Sequence, residues 1–207
     1  MKTFLLLVTI FLNCFGFGQK YTASEIKLIN SNDKNSALPI YHTTDEHQHS
    51  VLLSMSKYVN PKDPHTTTLV NRMKLTLLAT DGGVGIAAPQ VGVNRNVIWV
   101  QRFDKAGNPL EYFLNPKILW KSAILNLGPE GDLSIPDFRD LFYRSQVIQL
   151  EYWDLSGKKM TEIVEGFTAV IFQHEIDHLS GILIQDKSKN ETDSNIIKVD
   201  AFKRLPL

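Results

Sequence analysis

Residues 173–178 read QHEIDH and lie near the end of a largely apolar run. His174 and His178 are four residues apart, so in a helix both imidazoles point to one side and can bind one metal ion. Glu175 is rotated from His174 by about 100° around the helix. It can therefore reach a water beside the ion without ligating the ion. A catalytic zinc site has three protein ligands, so this stretch is one ligand short.

The surrounding residues predict a helix from about Gly166 to Leu179. A buried helix with two hydrogen-bonded histidines is the structural alternative, but two histidines grouped with a glutamate favour a metal site. The residues that share one helical face, at spacings of three and four, are Phe167, Val170, Ile171, His174 and His178.

Zinc proteases with this motif take their third ligand from downstream sequence, and this chain offers no good candidate there. Gly181 fits the pattern that adds G-x-x-H after the second histidine. The final position of that pattern is Ile184, which cannot bind a metal. Another class of zinc proteases uses a glutamate on a later helix as the third ligand. The only glutamate after His178 is Glu191, in a polar stretch without helical periodicity. A general metalloprotease is therefore the weakest interpretation.

Two upstream segments add to the pattern. Residues 83–90 read GVGIAAPQ and resemble a dinucleotide-binding fingerprint, which requires a strand before it and a helix after it. Here a helix is predicted before it, and Pro89 and Gly92 interrupt any helix after it. The segment is either a helix-to-strand turn or a backbone laid against a ligand, with Gln90 as an amide donor. Residues 130–134 read EGDLS and alone predict a polar turn.

Together the three segments resemble the peptide deformylase family, whose motifs are G-x-G-hydrophobic-A-A-x-Q, E-G-C-hydrophobic-S and Q-H-E-x-x-H in this order. The resemblance runs from about Leu69 to Leu183. It implies a fold with antiparallel or mixed sheets around a central helix that carries HExxH. Predicted strands and helices that lack the regular alternation of a parallel sheet independently indicate the α+β class.

The resemblance implies roles for individual residues. His174 and His178 match the family's metal-binding histidines, Glu175 its general acid/base, and Gln90 the glutamine that helps to hold the oxyanion together with the backbone N–H of Leu133. Five positions match residues that contact the substrate or line its methionine pocket: Val84, Gly85, Arg139, Val170 and Ile171.

The main departure from the family is Asp132, which stands where the family has its metal-binding cysteine. Aspartate carries the same charge as a thiolate, and two histidines with one carboxylate bind Zn²⁺ or Fe²⁺ in other catalytic sites. The resemblance therefore implies one divalent ion, Zn²⁺ or Fe²⁺, and a metal-dependent amide hydrolase that removes N-formyl groups from peptides. The alternative is a catalytically weak or inactive relative that binds formylated or acylated peptides.

The chain has 207 residues with 22 basic and 22 acidic side chains, and it shows no basic stripe, which argues against nucleic acid as a partner. Residues 1–18 predict a signal peptide with cleavage after Gly18, and hence export without a stable membrane span. Lipidation at Cys14 is the minor alternative. We divide the rest into an arm of uncertain structure (19–65), the hydrolase domain (66–187) and a tail (188–207).

Other local patterns are less specific. A helix is predicted from Thr67, capped by the threonines at 66–68 and stopped at residues 81–83. Strands are predicted at 97–100 and 112–114, and a hairpin at 147–152 and 160–164. The histidines at 42, 47 and 49 are either a metal-binding tract or, as we favour, part of a solvated loop.

Overall fold

The computed structural model describes residues 18–187 and the backbone of residues 197–200. The predicted signal peptide, Cys14 and most of the predicted tail lie outside the described residues. No helix among the described residues is long and apolar enough to cross a membrane. The described helices are α1 (Ala23–Ile29), α2 (Glu46–Leu52), α3 (Pro64–Leu78) and α4 (Gly166–Leu179). The described strands are β1 (Gly85–Ala87), β2 (Val97–Gln101), β3 (Leu110–Lys121), β4 (Ile124–Asp132), β5 (Ile135–Ser145), β6 (Val147–Trp153), β7 (Lys159–Glu165) and β8 (Ile197–Asp200).

The strands form two sheets. The first has the order β1-β2-β3-β6-β7, with every neighbouring pair antiparallel. The second has the order β5-β4-β8, in which β4 pairs antiparallel with β5 and parallel with β8. Short 3₁₀ turns occupy Ala88–Val91 and Ile184–Asp186. The predicted α+β class is confirmed.

Helices cover both faces of the five-stranded sheet, and β2 shows why its sequence is continuously apolar. Side chains alternate across a strand: Val97 and Trp99 pack with α3, whereas Ile98 and Val100 pack with α4. The α4 side of the core contains Ile171 and Phe172, both almost fully buried. Strand β2 thus helps to fix the position of α4 against the sheet.

The start of α3 differs from the prediction. The helix begins at Pro64 and is capped by Asp63, whose side chain accepts a hydrogen bond from the N–H of His65. The threonines at 66–68 are therefore inside the helix. Proline is favoured in the first helical turn because its missing N–H has no intrahelical partner there. The predicted helix at 166–179 and the predicted hairpin are confirmed.

Residues 19–65 pack against the rest of the chain. The fully buried guanidinium of Arg95 forms two hydrogen bonds with the Glu25 carboxylate, at 2.8 and 2.7 Å, and also donates to the carbonyl of Lys20. The segment between α1 and α2 reaches the motif residues directly: the N–H of Tyr41 donates to the Gln90 carbonyl (2.8 Å), and that of Thr43 to the Ser134 carbonyl (2.9 Å).

Candidate active site

Helix α4 carries the QHEIDH residues, and Gln173 attaches this helix to the neighbouring strand β5. Gln173 is buried, and its side-chain amide both accepts from the Ser145 N–H (3.1 Å) and donates to the Ser145 carbonyl (2.9 Å). This pairing joins α4 to the end of β5. The rings of His174 and His178 lie on the same side of the helix, with centroids 5.0 Å apart. The helical spacing therefore brings both imidazoles together as predicted.

The third residue of the cluster is Asp132, at the end of β4. One ligand atom from each of Asp132, His174 and His178 can be chosen so that all three lie within 4.8 Å of one another. It is the one such group of three or more metal-ligating side chains found among the described residues. The histidines at 42, 47 and 49 do not form such a group, and the last two lie on α2.

The cluster has the properties of a metal site. Asp132 Oδ2 lies 3.4 Å from His178 Nε2, and both side chains are almost completely buried. Neither of these atoms has a hydrogen-bond partner among the described residues. Buried polar atoms normally have partners, so an ion that accepts electron pairs from both atoms would satisfy them. The donor set of two histidines and one carboxylate fits Zn²⁺ or Fe²⁺.

Glu130 orients the His174 ring for metal binding. Its Oε2 lies 3.0 Å from His174 Nδ1. Burial raises the pKa of Glu130, but hydrogen bonds from His174 and Arg144 outweigh burial and lower it to about 2. The carboxylate is therefore an acceptor, Nδ1 carries the proton, and the Nε2 lone pair faces the cluster. Burial opposes the charged form of His174, but the bond to Glu130 outweighs it and raises the pKa of His174. Metal binding therefore has to displace a proton from Nε2 of this ring.

Arg144 links β4, which carries Asp132, to α4, which carries the two histidines. Its guanidinium binds both oxygens of Glu130 at 2.7 and 2.8 Å, and its third nitrogen donates to Asp177 at 2.5 Å. Arg144 is 3% exposed and Glu130 7%. This network of charge-assisted bonds fixes β4 relative to α4. Neither the role of Arg144 nor that of Asp177 is predicted from the sequence, because the contacts depend on the pairing of β4 with β5.

Glu175 lies on the cavity side of α4, against the backbone of Gly85. A Cβ atom at Gly85 would be 2.9 Å from Glu175 Cδ and 2.8 Å from Ile171 Cγ2. The glycine is therefore required by the close approach of a carboxyl group, and a dinucleotide is not needed to explain it. Burial raises the pKa of Glu175 to about 8. Burial also lowers the pKa of His178, to about 4, so His178 is neutral near pH 7, as a metal ligand must be.

Gln90 sits in the 3₁₀ turn after β1 and is 1% exposed. Its Oε1 accepts from the N–H of Ala87 at 2.9 Å, and its Nε2 donates to Asp132 Oδ1 at 3.2 Å. The N–H of Ser134 donates to the same oxygen at 2.8 Å. The three motifs therefore meet at Asp132.

A cavity of about 320 Å³ opens beside the cluster. His178 is 1% exposed and is not among the lining residues. The predicted site residues that line the cavity are Val84, Gly85, Gln90, Asp132, Leu133, Arg139, Val170, Ile171, His174 and Glu175. The lining residues that sequence reasoning did not assign are Gly82, Gly83, Pro129, Glu130, Gly131 and Phe167.

Comparisons with known proteins agree with this geometry. The family model for polypeptide deformylase matches residues 40–194. A peptide deformylase of Phenylobacterium zucineum is 37% identical over 140 residues, which are 67% of this chain and 82% of that protein. The crystal structure of peptide deformylase from Thermotoga maritima covers 73% of this chain and 97% of its own, with 34% identity and a TM-score of 0.66. A class I type b peptide deformylase from Acinetobacter baumannii, with Met-Ala-Ser bound, covers 73% of this chain and 98% of its own, at 32% identity and a TM-score of 0.65.

The family match extends beyond the predicted limits of Leu69 and Leu183 in both directions. It includes the segment at 40–43 that hydrogen-bonds to Gln90 and Ser134. Most of the chain is matched, and all three motifs lie inside the matched range. The chain therefore belongs to the polypeptide deformylase family, and this membership supports a metal-dependent deformylase function.

Proposed function

We propose that this protein removes N-formyl groups from peptides outside the cytoplasm, with Asp132, His174 and His178 as the ligands of one Zn²⁺ or Fe²⁺ ion. The observation that carries the proposal is the buried cluster itself. Unpartnered ligand atoms of Asp132 and His178 lie 3.4 Å apart, and Asp132 and Glu175 line the same cavity. When bound, the divalent ion supplies Lewis acidity and activates water at that wall.

Glu175 is the proposed general acid/base. A catalytic group is most effective when its pKa is near the working pH, and burial raises the pKa of Glu175 to about 8. In the proposed reaction Glu175 takes a proton from the attacking water as a C–O bond forms at the formyl carbon. It then gives that proton to the peptide nitrogen as the C–N bond breaks. The products are formate and a free amino terminus.

The remaining cavity residues hold the substrate. Gln90 has a second amide N–H beside the one given to Asp132, and this N–H and that of Leu133 are proposed to bind the carbonyl oxygen as charge develops on it. Val170 and Ile171 supply an apolar wall suited to a methionine side chain. Val84, Gly85 and Arg139 are proposed to contact the peptide backbone.

Formate release from formyl-Met-Ala-Ser, by purified protein loaded with Zn²⁺ or Fe²⁺, tests the reaction. Replacing Glu175 with Gln should reduce kcat by at least about 100-fold, the contribution expected of a general acid/base. The matched control is Glu165→Gln, because Glu165 is an exposed glutamate at the start of the same helix with no side-chain capping bond. Peptide binding without formate release under either metal would instead favour the alternative function, in which aspartate at the cysteine position leaves a protein that binds formylated or acylated peptides without hydrolysing them.

The third ligand and the cellular location have separate tests. Asp132→Ala should sharply reduce metal content measured by elemental analysis, and unchanged content would show that the third ligand is another group. Export after cleavage near Gly18 predicts a mature protein beginning at Gln19. Mass spectrometry of the protein from cells that produce it would detect this terminus, and an intact Met1 terminus on protein in the cytoplasm would contradict export.

A further inference from the structure

A carboxylate ligand raises a question that a thiolate does not, because it has two oxygens that can bind one ion. At Asp132 the two oxygens have different surroundings. Oδ1 accepts hydrogen bonds from Gln90 Nε2 at 3.2 Å and from the Ser134 N–H at 2.8 Å. Oδ2 has no hydrogen-bond partner among the described residues and lies 3.4 Å from His178 Nε2.

We propose that Gln90 is a positioning residue for the third ligand, and that it holds Asp132 so that Oδ2 alone binds the ion. A family member with cysteine at this position has a single sulfur donor and has no need of this function. The inference rests on the proposed metal site, and it adds a role to Gln90 that is separate from binding the substrate carbonyl.

The orientation of the Gln90 amide is fixed from its other end. Oε1 accepts from the Ala87 N–H at 2.9 Å. A flipped amide would turn Oε1 towards the carboxylate oxygen and an NH₂ group towards that N–H, so both interactions would be repulsive. Gln90 is 1% exposed and the Asp132 side chain 0%. Bulk water therefore does not compete for Oδ1, and the carboxylate cannot turn without losing its bond to the amide.

The bond to Gln90 and the bond to Ser134 act on the same oxygen from different parts of the chain. The Ser134 donor is a backbone N–H in the turn after β4, so it remains in any side-chain variant. Gln90 belongs to the turn after β1 in the other sheet. Removing its amide therefore leaves Oδ1 with one donor. We expect Oδ1 then to compete with Oδ2 for the ion, and the geometry of the site to change.

A double-mutant cycle tests this role through metal affinity, without using turnover. Gln90→Met replaces the amide by a flexible unbranched side chain that lacks N–H donors. It is made in the natural chain and in an Asp132→Cys background, where no second oxygen exists. Zn²⁺ affinity is measured by competition with a chromogenic chelator. We expect Gln90→Met to weaken Zn²⁺ binding about tenfold or more in the natural chain, as for other residues that orient metal ligands, and to change it by less than about threefold in the cysteine background.

Equal losses in the two backgrounds, or no loss in the natural chain, would overturn the inference. If the cysteine background does not fold, Co²⁺ bound to the natural chain and to Gln90→Met provides the second measurement. Visible Co²⁺ absorption weakens as the coordination number rises, so entry of Oδ1 in Gln90→Met should reduce the band, and identical spectra would overturn the proposal. Formate release by the natural chain is recorded separately. A protein that shows the coupling without releasing formate would support this inference and contradict the proposed reaction.

Discussion

The contact between Gly85 and Glu175 gives the sharpest prediction about the site. In Gly85→Ala the added Cβ would lie 2.8 Å from Ile171 Cγ2 and 2.9 Å from Glu175 Cδ. Carbon atoms in good contact are about 3.5–4.0 Å apart, so the neighbours must move by roughly 1 Å. The backbone of Gly85 is not in the left-handed region, and the effect is therefore one of space. Overpacking of this kind costs about 1–3 kcal/mol of folding free energy.

The larger effect should be on catalysis, because the displaced group is the proposed acid/base. A misplacement of about 1 Å can cost about 100-fold in rate, which corresponds to about 2.7 kcal/mol of activation free energy at 1.36 kcal/mol per tenfold change. We therefore expect kcat/KM for a formyl-Met peptide to fall by about two orders of magnitude, while the protein remains folded and retains its metal.

The matched control is Gly128→Ala in β4, where an added Cβ would have no heavy atom within 4 Å. This variant should keep kcat/KM within about threefold of the natural protein, as expected for a substitution that meets open space. Circular dichroism and elemental analysis accompany both assays, so that loss of fold or of metal is distinguished from misplacement. Activity of Gly85→Ala within threefold of the natural value would refute the proposed role of Glu175 or the need for its present position.

Three further predictions concern stability. Arg144→Met removes the guanidinium that binds both oxygens of the buried Glu130 carboxylate, and it should lower the free energy of unfolding in urea by about 3 kcal/mol, the lower end expected for a broken buried ion pair, because His174 still contacts Glu130 and Lys187 still pairs with Asp177. Arg139→Met, at an exposed arginine in the same strand, should change it by less than about 0.5 kcal/mol; equal effects would show that the network is not stabilising. Zn²⁺ at 100 times its Kd should stabilise the folded protein by about 2.7 kcal/mol, seen as a higher Tm in calorimetry, and Asp132→Ala should remove most of that increase. Burial by itself raises the pKa of Glu25, but the hydrogen bonds with Arg95 and Thr22 outweigh burial, so the pKa in the folded protein is lower than the ordinary value near 4.5. The charged Glu25 side chain therefore stabilises the fold above pH 4.5, and this stabilisation is lost as the pH falls through the lower pKa of the folded state. Glu25→Gln should accordingly destabilise the protein at pH 7 and less so at pH 3, and an equal loss at both pH values would contradict this reasoning.

Much of the site can be predicted from sequence because its parts are local. The spacing of His174 and His178 needs only helical periodicity, and the helix at 166–179 shows it clearly. Asp132 is different: EGDLS alone predicts a polar turn, and only the resemblance to the family assigns it to the metal. In the structure EGD completes β4, and the turn comes after it. The last five residues of β4 read GPEGD, and glycine and proline are the residues that sequence rules assign to turns.

The supporting residues could not be predicted, for a physical reason. Arg144 and Glu130 lie on paired strands but are not opposite each other, since their partners are Asn126 and Asp140. Their contact depends on the shape of the whole strand pair, which no local spacing in the sequence reveals. The start of α3 is a different case, because its signal is local. Asp63 followed by Pro64 is a stronger indication of a helix start than the threonines at 66–68. Helices α1 and α2 have seven residues each, too few to show a clear apolar period.

The parallel pairing of β4 with β8 has a consequence for the order of folding. Parallel strands require a long crossover connection, and here the connection contains β5, β6, β7 and α4. Contacts between residues far apart in sequence form late because loop closure costs entropy before it brings stability. The helix with the two histidines is local and can form early, whereas the strand with Asp132 gains its second neighbour last. The pairing with β8 involves residues 124–127, at the opposite end of β4 from Asp132, which the local β4–β5 hairpin holds. We therefore expect the three ligands to come together before β8 joins the sheet, so that a refolding chain captures metal before its last strand is in place.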